Sequence, residues 1–392
     1  MSVPNVRVDN YVEDKSKSRL DFLSKTYIVS GWLIGINRLP IIYKTKGICK
    51  IFTLGYPLIV NCTLLASVLT NHLQNLKDIV TTANLIQYFV CSIVGFFSQG
   101  QLIFIYNNLY KFDEEIRSKW YLSNSSKHNF LHISCMLISF LLFNILCRKI
   151  EGMIHLLPEL YPILLNHMIE FYYYAHLLSL LELRLRTIRI LLLSSFPITG
   201  KELNAFSEKQ FINDEDKNVI NLRNNNSNVE MKKLMKMYTQ IIETYDYLND
   251  AVKWQLLTML TTSFLTILCM SYHAALKIIS GNYTWKSTFF DVSVTMFEIT
   301  PVIVPCLYSE KIHTEVQLLR TSLQTRISND VFDKPSRSIA SCFSTMTQVR
   351  RLSFSVFHMI DINIPLPFKF FGLLTTYLII LLQFQKVIHL ES

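Results

Sequence analysis

The stretch PLPFKFFGLLTTYLIILLQFQ, residues 365–385, decides the fold. Lys369 is its only charged residue, and from Phe370 onward it is apolar apart from Thr375, Thr376, Tyr377, Gln383 and Gln385. A hydrocarbon core about 30 Å thick needs roughly 20 helical residues to cross it. Lipid offers no partner to backbone amides and carbonyls, so a segment of this kind crosses as a helix. The stretch is therefore expected to be a transmembrane helix.

Its few polar residues are not scattered. At about 100° per residue, Thr376 and Gln383 lie within about 20° of each other, and Gly372 and Ile380 within about 40° of Thr376. Tyr377 and Phe384 stack on the adjacent face. A polar stripe in a membrane helix faces a partner or water. Two roles fit: hydrogen bonding to a neighbouring helix, or lining an aqueous pore built from several copies. Lys369 falls near the same face, where it either faces the pore or snorkels toward headgroups.

Six further apolar runs are long enough to span: residues 51–71, 84–106, 129–147, 155–180, 256–276 and 288–309. Residues 22–43 form a shorter run containing Gly31, Trp32, Gly35 and Pro40, which suits an interfacial or re-entrant segment. Composition agrees: half of the 392 residues are hydrophobic and 17% are charged, against about a quarter in soluble chains. The 26 Phe and 19 Tyr suit lipid and headgroup contact. The expected fold is all-α and integral to the membrane. Residues 1–50 form an N-terminal region, 51–309 the first six spans, 310–365 a set of anchor helices, and 366–392 the last span with a short tail.

Positive charge sets the orientation. The segments 1–50, 107–128 and 310–365 hold 20 Lys and Arg, whereas the alternate loops and the tail hold only Lys77, Arg148, Lys149, Lys277, Lys286 and Lys386. The N-terminus is expected in the cytoplasm and the C-terminus outside, the reverse of a G-protein-coupled receptor. The sequon at Asn282 then lies outside and is open to glycosylation, whereas those at Asn124 and Asn225 lie inside. The N-terminal residues hold no apolar signal core, so the first span is expected to direct insertion. On the cytoplasmic side, the fourth span is expected to run on through LLELRLRTIRILLL, and the Asn-rich 198–230 to form a loop.

The net charge of +9 is dispersed between hydrophobic spans, and no basic face with interleaved aromatics suggests nucleic acid. The eight cysteines form no CxxC, and most sit in apolar stretches, so neither disulfide framework nor zinc site is expected. No HExxH, GxSxG or GxxxxGK[ST] is present. No enzyme, metal or cofactor is expected.

Within the last span, Thr376-Tyr377, five apolar residues and Gln383-Phe384 match the TYxxxxxQF signature of insect gustatory receptors. The chain length, the seven spans, the inverted orientation and the long segment before the last helix resemble that family throughout. One departure stands in the lead-in to the last helix: many members have a small residue there, often Gly, where this chain has Val356-Phe357-His358-Met359. The resemblance implies a tetrameric, ligand-gated cation channel whose last helices line a central pore. Gln383 and Phe384 become the gate candidates, with Thr376, Tyr377 and Ile380 on the pore helix, and a ring of Phe side chains would gate by dewetting. The implied partners are a small-molecule tastant, further receptor subunits and membrane lipid, and the implied location is the plasma membrane of gustatory neurons.

Polar and aromatic residues also concentrate in the expected outer halves of the second to sixth spans: Tyr88, Asn144, Asn166, His167, Glu170, Tyr272, Phe290, Asp291, Thr295 and Glu298. Aromatic walls with a few convergent polar groups suit a small organic ligand. The same groups could instead satisfy one another across the bundle. Resemblance around residues 361–377 to moth and butterfly receptors favours bitter plant compounds, with sugars the alternative because Asn166, Glu170 and Asp291 could bind hydroxyls. A secondary transporter is disfavoured by the lack of an internal repeat and of paired broken helices.

Overall fold

The computed structural model describes residues 22–36, 38, 48–72, 79–116, 160–195, 231–281, 284–329, 332, 334–350, 352–357 and 359–391. These residues divide into two compact units, 1–173 and 174–392. The expected span at 129–147 and the loop at 198–230 lie outside the described residues, as do Asn124, Asn144, Asn225 and Asn282.

In the first unit, α1 (Phe22–Leu33) has 12 residues, about 18 Å at 1.5 Å each and short of a membrane crossing. It stops at Gly35, whose φ of 96° is a conformation glycine adopts without a Cβ clash. The Ile36 amide donates back to Gly31 and the Gly35 amide to Trp32, the paired bonds of a Schellman ending. Next comes α2 (Ile48–His72), with Pro57 inside it. Proline has no N–H to give the carbonyl four residues back. The Trp32 indole supplies that bond instead, donating to the Thr53 carbonyl at 3.3 Å.

The expected span 84–106 is not one straight helix. It divides into α3 (Ile79–Phe97) and α4 (Gln99–Ile116), bent by 62° at Ser98. Ser98 itself is bonded on both sides, donating to Val94 at 2.8 Å and accepting from Leu102 at 3.0 Å. The helix α5 (Leu160–Ser195) holds 36 residues, and nearly every side chain from Asn166 to Leu193 is buried or partly so. Its apolar residues surround the axis rather than forming one stripe, the pattern of a helix packed on all sides.

The second unit is built on two long helices. One is α6 (Met231–Ile279) with 49 residues, the other α7 (Trp285–Ser328) with 44. At about 74 and 66 Å they are more than twice a hydrocarbon thickness. A turn at Gly281, φ 72°, joins them, and they pack along each other. The amphipathic α8 (Lys334–Val349) buries Ala340, Phe343, Ser344 and Thr347, which share one face by their three- and four-residue spacing. Phe343 meets Tyr238 of α6 at 5.3 Å.

A feature with no sequence expectation follows: a hairpin of β1 (Ser355–Val356) and β2 (Ile360–Asp361), with Ser355 opposite Asp361 and Val356 opposite Ile360. Two-residue strands are too short to show alternation. The hairpin is held by Phe354, whose ring packs on Tyr174 at 5.2 Å and Tyr245 at 5.5 Å. Finally α9 (Pro365–Glu391) lies against α6 and α7. Among the described residues, α6 and α9 are long and apolar enough to cross a membrane, and the bent α3–α4 pair counts as a third.

Candidate functional site

On α9, Leu374 is the buried residue among those described. It joins Ile267 and Leu268 of α6, with Phe264, Ile299, Phe370 and Leu378 packed around them. Phe264 also sets its ring edge-on to Phe370 at 5.3 Å and Tyr377 at 6.1 Å. Gly372, Thr376 and Gln383 lie about 160–180° around the helix from Leu374. All three are exposed, as are Ile380 and Phe384, the latter by 64%. Among the described residues the stripe makes no side-chain bond to a neighbouring helix: the Thr376 hydroxyl turns back to the Gly372 carbonyl at 3.0 Å. Tyr377, though 47% exposed, flanks the packed face.

Beyond Phe384, the Tyr272 hydroxyl of α6 donates to the Gln385 side-chain oxygen. On the same pair of long helices, Ser263 donates to the Glu298 carboxylate at 3.1 Å, and Glu298 is only 2% exposed. Phe290 and Asp291 fall within α7, and Thr295 is partly buried there.

Tyr88, Asn166, His167 and Glu170 all lie in the first unit and are buried. The Glu170 carboxylate receives both guanidinium arms of Arg38, at 2.8 and 2.6 Å. The pair is 1–2% exposed. Tyr173 lies under the same guanidinium, its ring centre 4.6 Å away. Close passage past Gly95 allows this approach: a Cβ there would come within 2.6 Å of Ile36. Gln87 meets the His167 ring at 2.6 Å, and Tyr88 donates to the Ile34 carbonyl at 2.6 Å. Asn166 faces the Cys91 thiol, and neither of its amide atoms has a nitrogen or oxygen partner among the described residues. Arg38 was missed from sequence. A cation in the middle of the apolar run 22–43, well separated from Lys25, was the available signal.

Outside the expected spans, Arg189 of α5 clamps Glu315 of α7 at 2.8 Å. Nearby, burial and the Glu315 charge hold the Glu182 carboxyl above its ordinary range, opposed by Lys311, Arg186 and Arg189.

The sequence profile of the 7tm Chemosensory receptor family matches residues 47–388. The chain belongs to that family. Curated proteins yield no match to the receptor. Among solved structures, it is similar to the olfactory receptor OR5 of the insect Machilis hrabei, with TM-score 0.64 and 13% identity over 92% of this chain and 97% of that one. The same protein in complex with eugenol gives TM-score 0.63 and 15% identity, covering 96% of this chain and 100% of that one. At such identity the likeness is one of fold, a mostly helical one, and the family match makes the receptor a multi-pass membrane protein. It is a chemoreceptor and not an enzyme.

Proposed function

We propose that the receptor is a subunit of a ligand-gated, non-selective cation channel that detects small-molecule tastants, with bitter plant compounds as the ligand class. The observation that carries this reading is α9. It packs on its own chain through the Leu374 face and leaves Gly372, Thr376, Ile380 and Gln383 uncovered on the other. In lipid, a stripe of this kind needs water or a partner. Four copies around an axis supply both, as the TYxxxxxQF signature implies, with N-terminus in the cytoplasm, C-terminus outside and seven spans per subunit. Gln383 and Phe384 form the gate: a closed ring of Phe rings excludes water, and its displacement lets ions pass.

Ligand recognition is assigned to the buried polar groups of the first unit. Asn166, whose amide has the Cys91 thiol beside it and no nitrogen or oxygen partner among the described residues, is the group we assign to a ligand hydroxyl or amine, and Gln87, His167 and Tyr88 stand in the same unit. Glu170, taken up by Arg38, acts there as a support. The working place of the channel is the plasma membrane of gustatory neurons.

The test is expression in cells without native receptors, challenged with alkaloids, glycosides and sugars while G-protein signalling is blocked. Currents evoked by alkaloids or glycosides are expected. Responses confined to sugars would move the ligand class, and responses abolished by the block would remove the channel reading. Phe384→Ala should leak current without ligand, and Asn166→Ala should shift ligand sensitivity at unchanged surface expression.

A further inference from the structure

Hydrophobicity alone does not set the rotation of α9 about its own axis. Leu or Ile occupies positions 373 and 374 and every position from 378 to 382. At about 100° per residue these side chains surround the helix. Lipid tails are as apolar as leucine, so apolar area does not choose which side of such a helix lies on α6. A directional contact must choose it.

Phe264 of α6 supplies that contact. Its ring lies edge-on to Phe370 at 5.3 Å and to Tyr377 at 6.1 Å. These two residues are seven apart, about 10 Å along α9, and share a face within about 20°. Leu374, the buried residue of α9, falls between them in the chain and within about 60° of both. Phe264 is thus a knob seated on one face of α9. Among the described residues, no other ring of α9 meets a ring of a different helix.

Edge-on aromatic contacts depend on orientation in a way that aliphatic contacts do not. Turning α9 by about 100°, the step of one residue, would part both rings from Phe264. With the rings seated, Gly372, Thr376 and Gln383 point away from α6 and are exposed. The Tyr272–Gln385 bond favours the same setting, since Gln385 lies within about 20° of Leu374 around the helix. That bond sits about 16 Å farther along α9, beyond Gln383 and Phe384.

We infer that Phe264 is a positioning residue for the pore: its ring, held between Phe370 and Tyr377, fixes the rotation of α9 and keeps the Gly372–Thr376–Gln383 stripe on the pore side. The inference rests on the reading of α9 as the pore helix.

The experiment compares two neighbouring substitutions in the full-length receptor assembled in lipid nanodiscs: Thr376→Cys on the stripe and Thr375→Cys, about 100° away. Each protein is treated with 2-(trimethylammonium)ethyl methanethiosulfonate, a water-soluble cation, and reaction at that position is followed by mass spectrometry. All proteins carry Gln385→Met, so that the outer bond does not hold the rotation in place of the ring. With Phe264 present, the thiol at 376 should react faster than the one at 375 by a factor on the order of ten or more. Phe264→Leu, which keeps an apolar side chain without a ring, should lower that ratio on the order of tenfold, the factor two aromatic pairs provide. Phe264→Tyr, which keeps the ring, should preserve it. Phe264→Met replaces the leucine variant should that one lose its folded elution profile. An unchanged ratio in the folded leucine or methionine variant, or the same loss with tyrosine, would overturn the assignment of Phe264 alone. Slow reaction at both positions with Phe264 present would leave the stripe without water, and the pore reading would fall together with the inference.

Discussion

The Tyr272 hydroxyl of α6 is bonded to the side chain of Gln385, two residues beyond Gln383 on α9. It ties the end of the exposed stripe to a helix that otherwise holds α9 through the apolar contacts around Leu374. On the proposed gating, opening at Gln383 and Phe384 moves this end of α9, and the bond would then hold the closed state. Tyr272→Phe should lower the half-maximal ligand concentration by about two- to tenfold, the worth of one net hydrogen bond. Combined with Gln385→Met it should add nothing further, and a double-mutant cycle on channel currents reads that coupling. Independent, additive effects would show that the bond does not act in gating.

How far the sequence foretold these parts depends on the range of each interaction. The stripe of α9 is legible because Thr376 and Gln383 are seven residues apart on one helix, and helical geometry alone puts them together. The long reach of α5 is legible from an apolar run that continues into LLELRLRTIRILLL, whereas the continuation of the sixth span into the expected anchor region as one helix, α7, is not. The Arg38–Glu170 pair is not, since its partners are 132 residues apart and only packing brings them together. The bend at Ser98 is also silent, because no proline marks it. The hairpin at 355–361 is carried by Phe354 wedged between Tyr174 and Tyr245, a tertiary contact without local pattern.

The Arg38–Glu170 pair predicts an outcome that separates support from ligand binding. Breaking one partner of a buried ion pair costs about 3–5 kcal/mol, because the other charge is left without compensation. Glu170→Gln or Arg38→Met alone should therefore reduce folded receptor at the surface. The double variant Arg38→Met, Glu170→Met, which removes both charges, should restore much of it. Surface biotinylation and thermal melting of the purified receptor measure both effects. Normal surface levels for Glu170→Gln with altered ligand response would instead assign the carboxylate to the ligand.

Phe357 explains the departure from the family pattern in the lead-in to the last helix. Its φ is 54°, a left-handed conformation that costs a residue with a Cβ about 1–2 kcal/mol. Its ring repays this against Trp254, 4.5 Å away and edge-on, where an aromatic pair contributes about 0.5–1.5 kcal/mol beyond area. Phe357→Gly removes strain and stacking together and should change stability little. Phe357→Ala keeps the strain and loses the ring, and should melt earlier than either. If alanine and glycine behave alike, the backbone is not strained here.

Glu182 offers a test by pH. Its carboxyl is held above the usual range by burial and by Glu315, so the folded protein binds this proton more tightly than the unfolded chain does. For such a group, stability falls as pH rises from the unfolded value, about 4.3, through the raised folded value, and stays lower above it. Glu182→Gln removes the titration. The variant should match the wild type in melting temperature below about pH 4, where Glu182 is neutral in both states. It should then become the more stable of the two as pH rises toward 7. The decisive measurement is the difference in melting temperature between the two proteins across that range. A difference independent of pH would mean that Glu182 is stabilised as a charge by Lys311, Arg186 and Arg189 to the same extent that burial opposes it.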